Sequence, residues 1–361
     1  MEHIRNEFPV FQKYIYANTA SSGLPYHKLM QWRSEHDQGL LHGGSIMRDS
    51  TREILNETRE TVARFFNCTS ENVALIQNFS IGMNILLEGL DKQEKVLLLD
   101  GDYPSVAWPF ERRGFSITFA KLNENLEENI RQKVLNEKIT VLAISIVQWL
   151  DGIKIDLDFL KKLKEEFPGL LIIADGTQFC GTDVFDFKNS GIDVLGASSY
   201  KWLLSGYGNG FMLFKSEVED RIAVKTIGFN SANAEPSKKN TLHFTKCFEP
   251  GHLDTLNFGS LKMSLEFFEK IGKDVIEKQL HELSNYAKEE LAAIGVLSNV
   301  VLKRKNHSTI FNIVGDANLF KKLEDNNIIC SQRGNGIRIS FHIYNTINDV
   351  DSIIKILKTE I

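Results

Sequence analysis

The chain has 361 residues, 42% hydrophobic and 25% charged, with 42 Lys and Arg against 47 Asp and Glu for a formal net charge of -5. Such proportions exclude a disordered chain, a collagen and a small disulfide scaffold, and without a basic surplus no nucleic-acid partner is expected. Cys68, Cys180, Cys247 and Cys330 lie far apart and form no C-x-x-C pair, which fits a reducing compartment and argues against a zinc knuckle.

The first residues, MEHIRNEF, hold no basic segment followed by an apolar stretch, so no secretory leader is expected. No apolar run nears the roughly 18 residues of a membrane helix, and the expected location is cytoplasmic, with no membrane partner. Short apolar runs then alternate with amphipathic stretches. Strands are predicted over 73–77, 95–100, 116–119, 140–147, 170–174, 192–197 and 210–214, and helices over 51–67, 81–90, 105–113, 124–137 and 157–167. Strands rich in Val, Leu and Ile on both faces, alternating with helices, indicate an α/β fold with a mainly parallel seven-stranded sheet covered on each side. The short segment joining the last two runs points to an antiparallel edge strand.

Beyond residue 214 the texture changes. SANAEPSKKN (231–240) reads as an exposed loop, and one long helical stretch runs over 259–294. A smaller unit follows, with strands over 300–303, 309–314 and 337–342 and helices over 317–326 and 346–359. The expected organisation is a large α/β domain over 15–255 and a small C-terminal α+β domain over 256–361 that also takes in 1–14. A site at the domain junction, near strand C-termini, is the natural expectation.

There is no G-x-x-x-x-G-K-[ST], H-E-x-x-H or G-x-S-x-G, and the nine histidines lack metal-ligand spacing, so no metal is expected. The informative segment is LLIIADGTQFCGTDVFDFKNSGIDVLGASSYKWLLSGYGNGFMLF, residues 170–214. One buried strand ends in Ala174-Asp175-Gly176 and the next in Ser198-Ser199-Tyr200-Lys201, which sets Asp175 and Lys201 at the same lip of a parallel sheet. On pattern alone, a buried ion pair explains these two residues as well as a reactive site does.

The segment resembles the pyridoxal phosphate signature of the class V aminotransferase family, within the fold-type-I superfamily of PLP-dependent transferases. There a D-x-x-Q motif precedes an S-x-[HY]-K motif and a Gly-rich turn; here they read Asp175-Gly176-Thr177-Gln178, Ser198-Ser199-Tyr200-Lys201 and Gly206-Tyr207-Gly208. The resemblance implies pyridoxal 5'-phosphate as cofactor, Lys201 as the Schiff-base (internal aldimine) lysine and Asp175 against the pyridine nitrogen. It implies Gln178 at the phenolic oxygen, and Ser198 and Tyr200 at the phosphate. Tyr at position 200, where many relatives carry His, is closer to the kynureninase branch.

Further stretches extend the resemblance over nearly the whole chain. Gln77-Asn78-Phe79-Ser80-Ile81-Gly82-Met83-Asn84 reads as a strand followed by a helix start with Ser80 as N-cap, and resembles the stretch that cradles the phosphate, implying contacts from Asn78, Phe79 and Ser80. Asp102-Tyr103-Pro104-Ser105 resembles the segment whose aromatic stacks on the cofactor ring, implying that role for Tyr103. Arg338-Ile339-Ser340, followed by Tyr344-Asn345-Thr346, resembles the motif whose arginine clamps the substrate carboxylate; Arg333 is a weaker neighbour. Glu249-Pro250-Gly251-His252 resembles a loop that reaches a partner subunit's phosphate, with His252 where Thr is usual.

The expected reaction is transamination of a small amino acid by a homodimer, with Lys201 moving the proton at Cα. The alternatives are a kynureninase-like hydrolase or a C–S lyase or cysteine desulfurase-like enzyme, and, from another class, a cofactor-binding regulatory module without turnover. Cysteine desulfurases need a nucleophilic cysteine, and Cys330, in the apolar run Ile328-Ile329-Cys330, reads as a core residue, which disfavours desulfuration.

Overall fold

The computed structural model describes residues 2–359. The chain begins with α1 (Glu2–Arg5), β1 (Ile15–Tyr16), α2 (His27–Ser50) and α3 (Arg52–Phe66). Seven strands then form one sheet: β2 (Val73–Ile76), β3 (Lys95–Leu99), β4 (Ser116–Ala120), β5 (Val141–Ser145), β6 (Leu171–Asp175), β7 (Val194–Ser198) and β8 (Gly210–Phe214). Between them lie α4 (Phe79–Glu88), α5 (Pro104–Arg112), α6 (Leu126–Glu137) and α7 (Leu157–Glu166). The predicted strands and helices of this region are all present, with shifted ends.

The sheet order is β2-β8-β7-β6-β5-β3-β4. Pairing is parallel from β7 through β6, β5 and β3 to β4, whereas β8 runs antiparallel to both β7 and β2. The antiparallel strand is therefore not at the edge as expected, because β2 adds outside β8 and buries it. Alternate residues enter opposite cores: Leu97, Leu142 and Ile172 on one face, Val96, Val141 and Ile173 on the other. Burial on both faces is why these strands read as continuous apolar runs.

The remainder comprises α8 (Thr255–Ile271), α9 (Lys273–Ala293), α10 (Asn299–Lys303), β9 (Ile310–Val314), α11 (Ala317–Asp325), β10 (Ile328–Ile329), β11 (Ser331–Arg333), β12 (Gly336–Ser340) and α12 (Ile347–Leu357). The single long helix expected over 259–294 is two, broken at Gly272, whose φ of 99° lies outside the helical range. The strand expected over 300–303 is instead the short helix α10, capped by Ser298, whose Oγ accepts from Val301 N at 3.3 Å. β9, β12 and β11 form an antiparallel sheet, and β1 pairs parallel with β10. In the segment 231–240 Ser231 and Ala232 are buried, and the rest is exposed apart from half-buried Ala234. No helix among the described residues is long and apolar enough to cross a membrane.

Candidate active site

The C-terminal ends of β6 and β7 meet the start of α4 around a cavity of about 360 Å³. Asn78, Phe79, Ser80, Tyr103, Ser198, Tyr200 and Lys201 all line it, so residues scattered over more than a hundred positions converge. Asp175, the last residue of β6, lies buried beneath it.

Local structure accounts for this placement. Asn78 ends the turn after β2 in an extended conformation and its Oδ1 accepts from Ile81 N at 3.0 Å, which starts α4 at Phe79. The cap is thus Asn78 and not Ser80: the helix begins two residues earlier than the pattern suggested, and Ser80 Oγ instead bonds Ser105 Oγ at 2.7 Å. Phe79 N donates to Ser198 Oγ at 2.9 Å, fastening the start of α4 to the end of β7. The helix N-terminus therefore points its amide end at the cavity.

Asp175 Oδ1 accepts from Thr177 N at 2.8 Å. Burial pushes its carboxyl pKa up, while hydrogen bonds from Thr177 and the charge of Lys201 pull it back. Burial likewise holds the Lys201 amine below its ordinary value, with Asp175 acting the other way. Lys201 Nζ is 5.6 Å from the ring centroids of both Tyr103 and Tyr200. Tyr200 in turn stacks on exposed Tyr207, with centroids 4.4 Å apart.

Gln178 is engaged at both ends of its amide: Nε2 donates to Ala20 O at 3.0 Å and Oε1 accepts from Trp202 Nε1 at 2.6 Å. One Nε2 hydrogen remains for a ligand. Arg338, in the middle of β12, is 3% exposed; Nη1 donates to Trp149 O at 2.5 Å and Nη2 to Ser21 Oγ at 2.6 Å. Its charge helps to lower the Lys201 pKa, and burial lowers its own to about 10. Arg333 and His252 are exposed.

The sequence reading missed two residues. Thr177 lines the cavity, and its Oγ1 accepts from Ser198 N at 3.0 Å while its own N–H holds Asp175. Asp102 is a second buried carboxylate: it accepts from Tyr103 N at 2.6 Å and from Ser145 N at 2.9 Å. Ser145 is the register partner of Asp175, so Asp102 replaces the ladder contact that β5 lacks where β3 has already ended. Its charge raises the Asp175 pKa. The signal for Asp102 was its place at a strand end, beside the aromatic that drew attention instead.

None of the four cysteines lines the cavity: Cys180, Cys247 and Cys330 are buried and Cys68 half-buried. Burial pushes the Cys330 thiol up to about 12, which removes it as a ready thiolate. Asp183, Glu277 and His281 bring their ligand atoms within 4.8 Å of one another, but Asp183 is already ion-paired with Lys154.

These features fit pyridoxal 5'-phosphate. The cavity offers a buried amine of depressed pKa, a buried carboxylate, an aromatic wall and a helix N-terminus, matching the cofactor's aldehyde, ring nitrogen, ring face and phosphate.

Comparison with known proteins agrees. The family model described as Aminotransferase class-V matches residues 17–353. The chain belongs to this family and is a pyridoxal-5'-phosphate-dependent enzyme of fold type I. A probable cysteine desulfurase of Ureaplasma parvum is 26% identical over 85% of this chain and 83% of its own length. An apo cysteine desulfurase structure from Thermococcus onnurineus superposes with a TM-score of 0.88 at 19% identity, covering 99% of this chain and 97% of that one. A complex of the cystine C–S lyase C-DES with cysteine persulfide gives 0.86 at 17% identity, covering 96% and 98%.

Proposed function

We propose that this enzyme cleaves the Cβ–S bond of a sulfur-bearing α-amino acid and releases the sulfur directly, without loading it on a cysteine of its own. The reading is carried by the thiol-free cavity within a site otherwise equipped for Cα chemistry. The names of its relatives support it: cysteine desulfurase in sequence and structure, and cystine C–S lyase for a similar fold. Against them, transamination, the first expectation, has no feature of its own on the cavity wall.

Pyridoxal 5'-phosphate supplies, when bound, an aldehyde that captures the substrate amine and a ring that takes up the electron pair released at Cα. Lys201 holds the cofactor and, once displaced by the substrate amine, removes the Cα proton; a depressed pKa keeps more of it in the basic form near neutrality. Asp175 would keep negative charge at the ring nitrogen, Tyr103 would cover the ring, Ser198, Ser80, Asn78, Phe79 and Tyr200 would hold the phosphate, and Gln178 would serve the phenolic oxygen. Arg338 orients the substrate carboxylate so that the Cα–H bond faces Lys201. Loss of that proton expels sulfur from Cβ with the bonding pair, and addition of water leaves pyruvate and ammonia. For a disulfide substrate the sulfur departs as a persulfide.

The same reading divides the chain into a large unit over 15–255 and a small one over 256–361 with 1–14. The Arg5–Asp349 ion pair, 2.6 Å long, supports assigning the N-terminus to the second unit. It includes a cytoplasmic homodimer, supported by Leu41 and Ile46 on α2, which are 73% and 81% exposed. Light scattering tests the dimer, which a monomeric mass would exclude.

The deciding experiment mixes holoenzyme with each common amino acid, cystine and kynurenine, then identifies the cofactor and products. Pyruvate and reduced sulfur, with pyridoxal phosphate retained, are the expected result. Accumulated pyridoxamine phosphate would establish transamination instead, and released alanine a desulfurase or kynureninase-like route.

A further inference from the structure

We propose that Trp149 is the second donor of the substrate-carboxylate site, its indole N–H acting beside the Arg338 guanidinium. The inference rests on the reading that Arg338 receives that carboxylate.

Trp149 follows β5 in the tight hairpin that returns at Gly152, where Val147 bridges Lys154. Its backbone carbonyl accepts from Arg338 Nη1 at 2.5 Å, so the two residues are fastened together. Its ring stands edge-on to Tyr103, with centroids 6.0 Å apart at an interplanar angle of 65°, and Tyr103 is itself 5.6 Å from Lys201 Nζ. Trp149 therefore bridges the aromatic wall of the cavity and the guanidinium.

Each of these two fastened residues carries an orphaned donor. Trp149 Nε1 and Arg338 Nε are both cut off from solvent, and neither has a hydrogen-bond partner. Buried polar groups are nearly always paired, since leaving a donor unmade forfeits its hydration with nothing in return. An indole N–H can only donate, and so can a guanidinium. Both atoms thus call for acceptors, and two oxygens on one anionic group answer the pair. Gln148 Oε1, also unpartnered, is an acceptor and stays outside it. The α-carboxylate of the substrate is the group that chemistry brings to this end of the cavity, because the α-amine must lie at Lys201. Arg338 Nη1 and Nη2 are held by Trp149 O and Ser21 Oγ, which fixes the guanidinium before the substrate arrives.

The test uses 15N-indole-labelled protein and two small probes: 3-mercaptopropionate, which carries a carboxylate and no amine, and cysteamine, which carries an amine and no carboxylate. Of the four tryptophans, the one whose signal is missing in Trp149→Phe is Trp149. That signal is expected to shift when 3-mercaptopropionate binds the holoenzyme and to ignore cysteamine. Trp149→Phe should weaken 3-mercaptopropionate binding about tenfold or more, the range for a hydrogen bond to a charged group, while cofactor affinity and melting temperature hold. An indole signal that responds to cofactor but not to 3-mercaptopropionate overturns the proposal, as does unchanged affinity in Trp149→Phe. Arg338→Gln separates the two levels. If it too binds the probe normally, the carboxylate reading of Arg338 has failed; if it alone weakens binding, only the role of Trp149 has.

Discussion

Lys201 gains its reactivity from position: burial raises the free energy of its ammonium form, and the nearby charge of Arg338 adds to that effect. Only the neutral amine attacks an aldehyde, so cofactor capture by the apo chain should accelerate with pH over a range well below the ordinary lysine value of 10.5. A profile that rises only near 10.5 would contradict the depressed pKa, and Lys201→Ala should abolish the visible absorbance of covalently held cofactor altogether. Asp102 makes a different kind of prediction. Asp102→Asn keeps the shape but turns an amide N–H toward the backbone N–H of Ser145 or Tyr103, both of which the carboxylate now accepts. The apo chain should lose about 1–3 kcal/mol in urea unfolding, and an unchanged midpoint would deny Asp102 its place in joining β3 to β5. These residues differ in how legible they were. Asp175 and Lys201 end apolar strands, a position visible in the sequence. The partners of Asp102 depend on β3 stopping short of β5, and those of Trp149 on a contact with β12; neither leaves a local pattern.

At the level of elements, the site depends on close approaches that side chains would block. Gly23, in the turn before α2, donates its N–H to Tyr200 O at 2.9 Å, and an added Cβ would lie 2.0 Å from Lys201 O. The backbone that carries the lysine cannot yield without moving Nζ. Gly23→Ala should therefore reduce cofactor affinity and destabilise the holoenzyme by about 1–3 kcal/mol, as overpacking does, measured by cofactor titration and thermal unfolding. Normal cofactor affinity would show that the turn can give way. The same dependence on neighbours explains where sequence reading of elements fell short. Helix α2 was not predicted because only Leu29 and His36 along it are buried, leaving no apolar stripe. The Val300-Val301 pair suggested a strand, yet Ser298 caps a helical turn there, and five residues are too few for β-propensity to prevail. The sheet strands, buried on both faces, carried their own signal.

Across the whole molecule, one buried histidine connects the end of β12 to the lysine loop. His342 is 0% exposed, its Nε2 lies 2.8 Å from Trp202 O, and its Nδ1 accepts from Ile343 N at 2.7 Å. Those contacts require the neutral ring with its proton on Nε2, because a proton on Nδ1 would face another N–H. Burial accordingly lowers the His342 pKa to about 4 from the ordinary 6.5, the Trp202 carbonyl opposing it. The sign of the consequence follows from proton counting. Between pH 6.5 and 4 the unfolded chain binds a proton that the folded chain refuses, so stability rises with pH across that window and falls as acid is added. One such proton contributes a slope of up to about 1.4 kcal/mol per pH unit. His342→Gln, which keeps a donor for Trp202 O but cannot titrate, should be less stable at pH 7 yet lose stability less steeply on acidification. Because carboxylates titrate in the lower part of the same window, the quantity to compare is the difference in slope between the two proteins in urea unfolding of the apo chain. Equal slopes would mean that the ring is protonated in the folded state at no cost, and that the joint between β12 and the lysine loop is looser than its contacts imply.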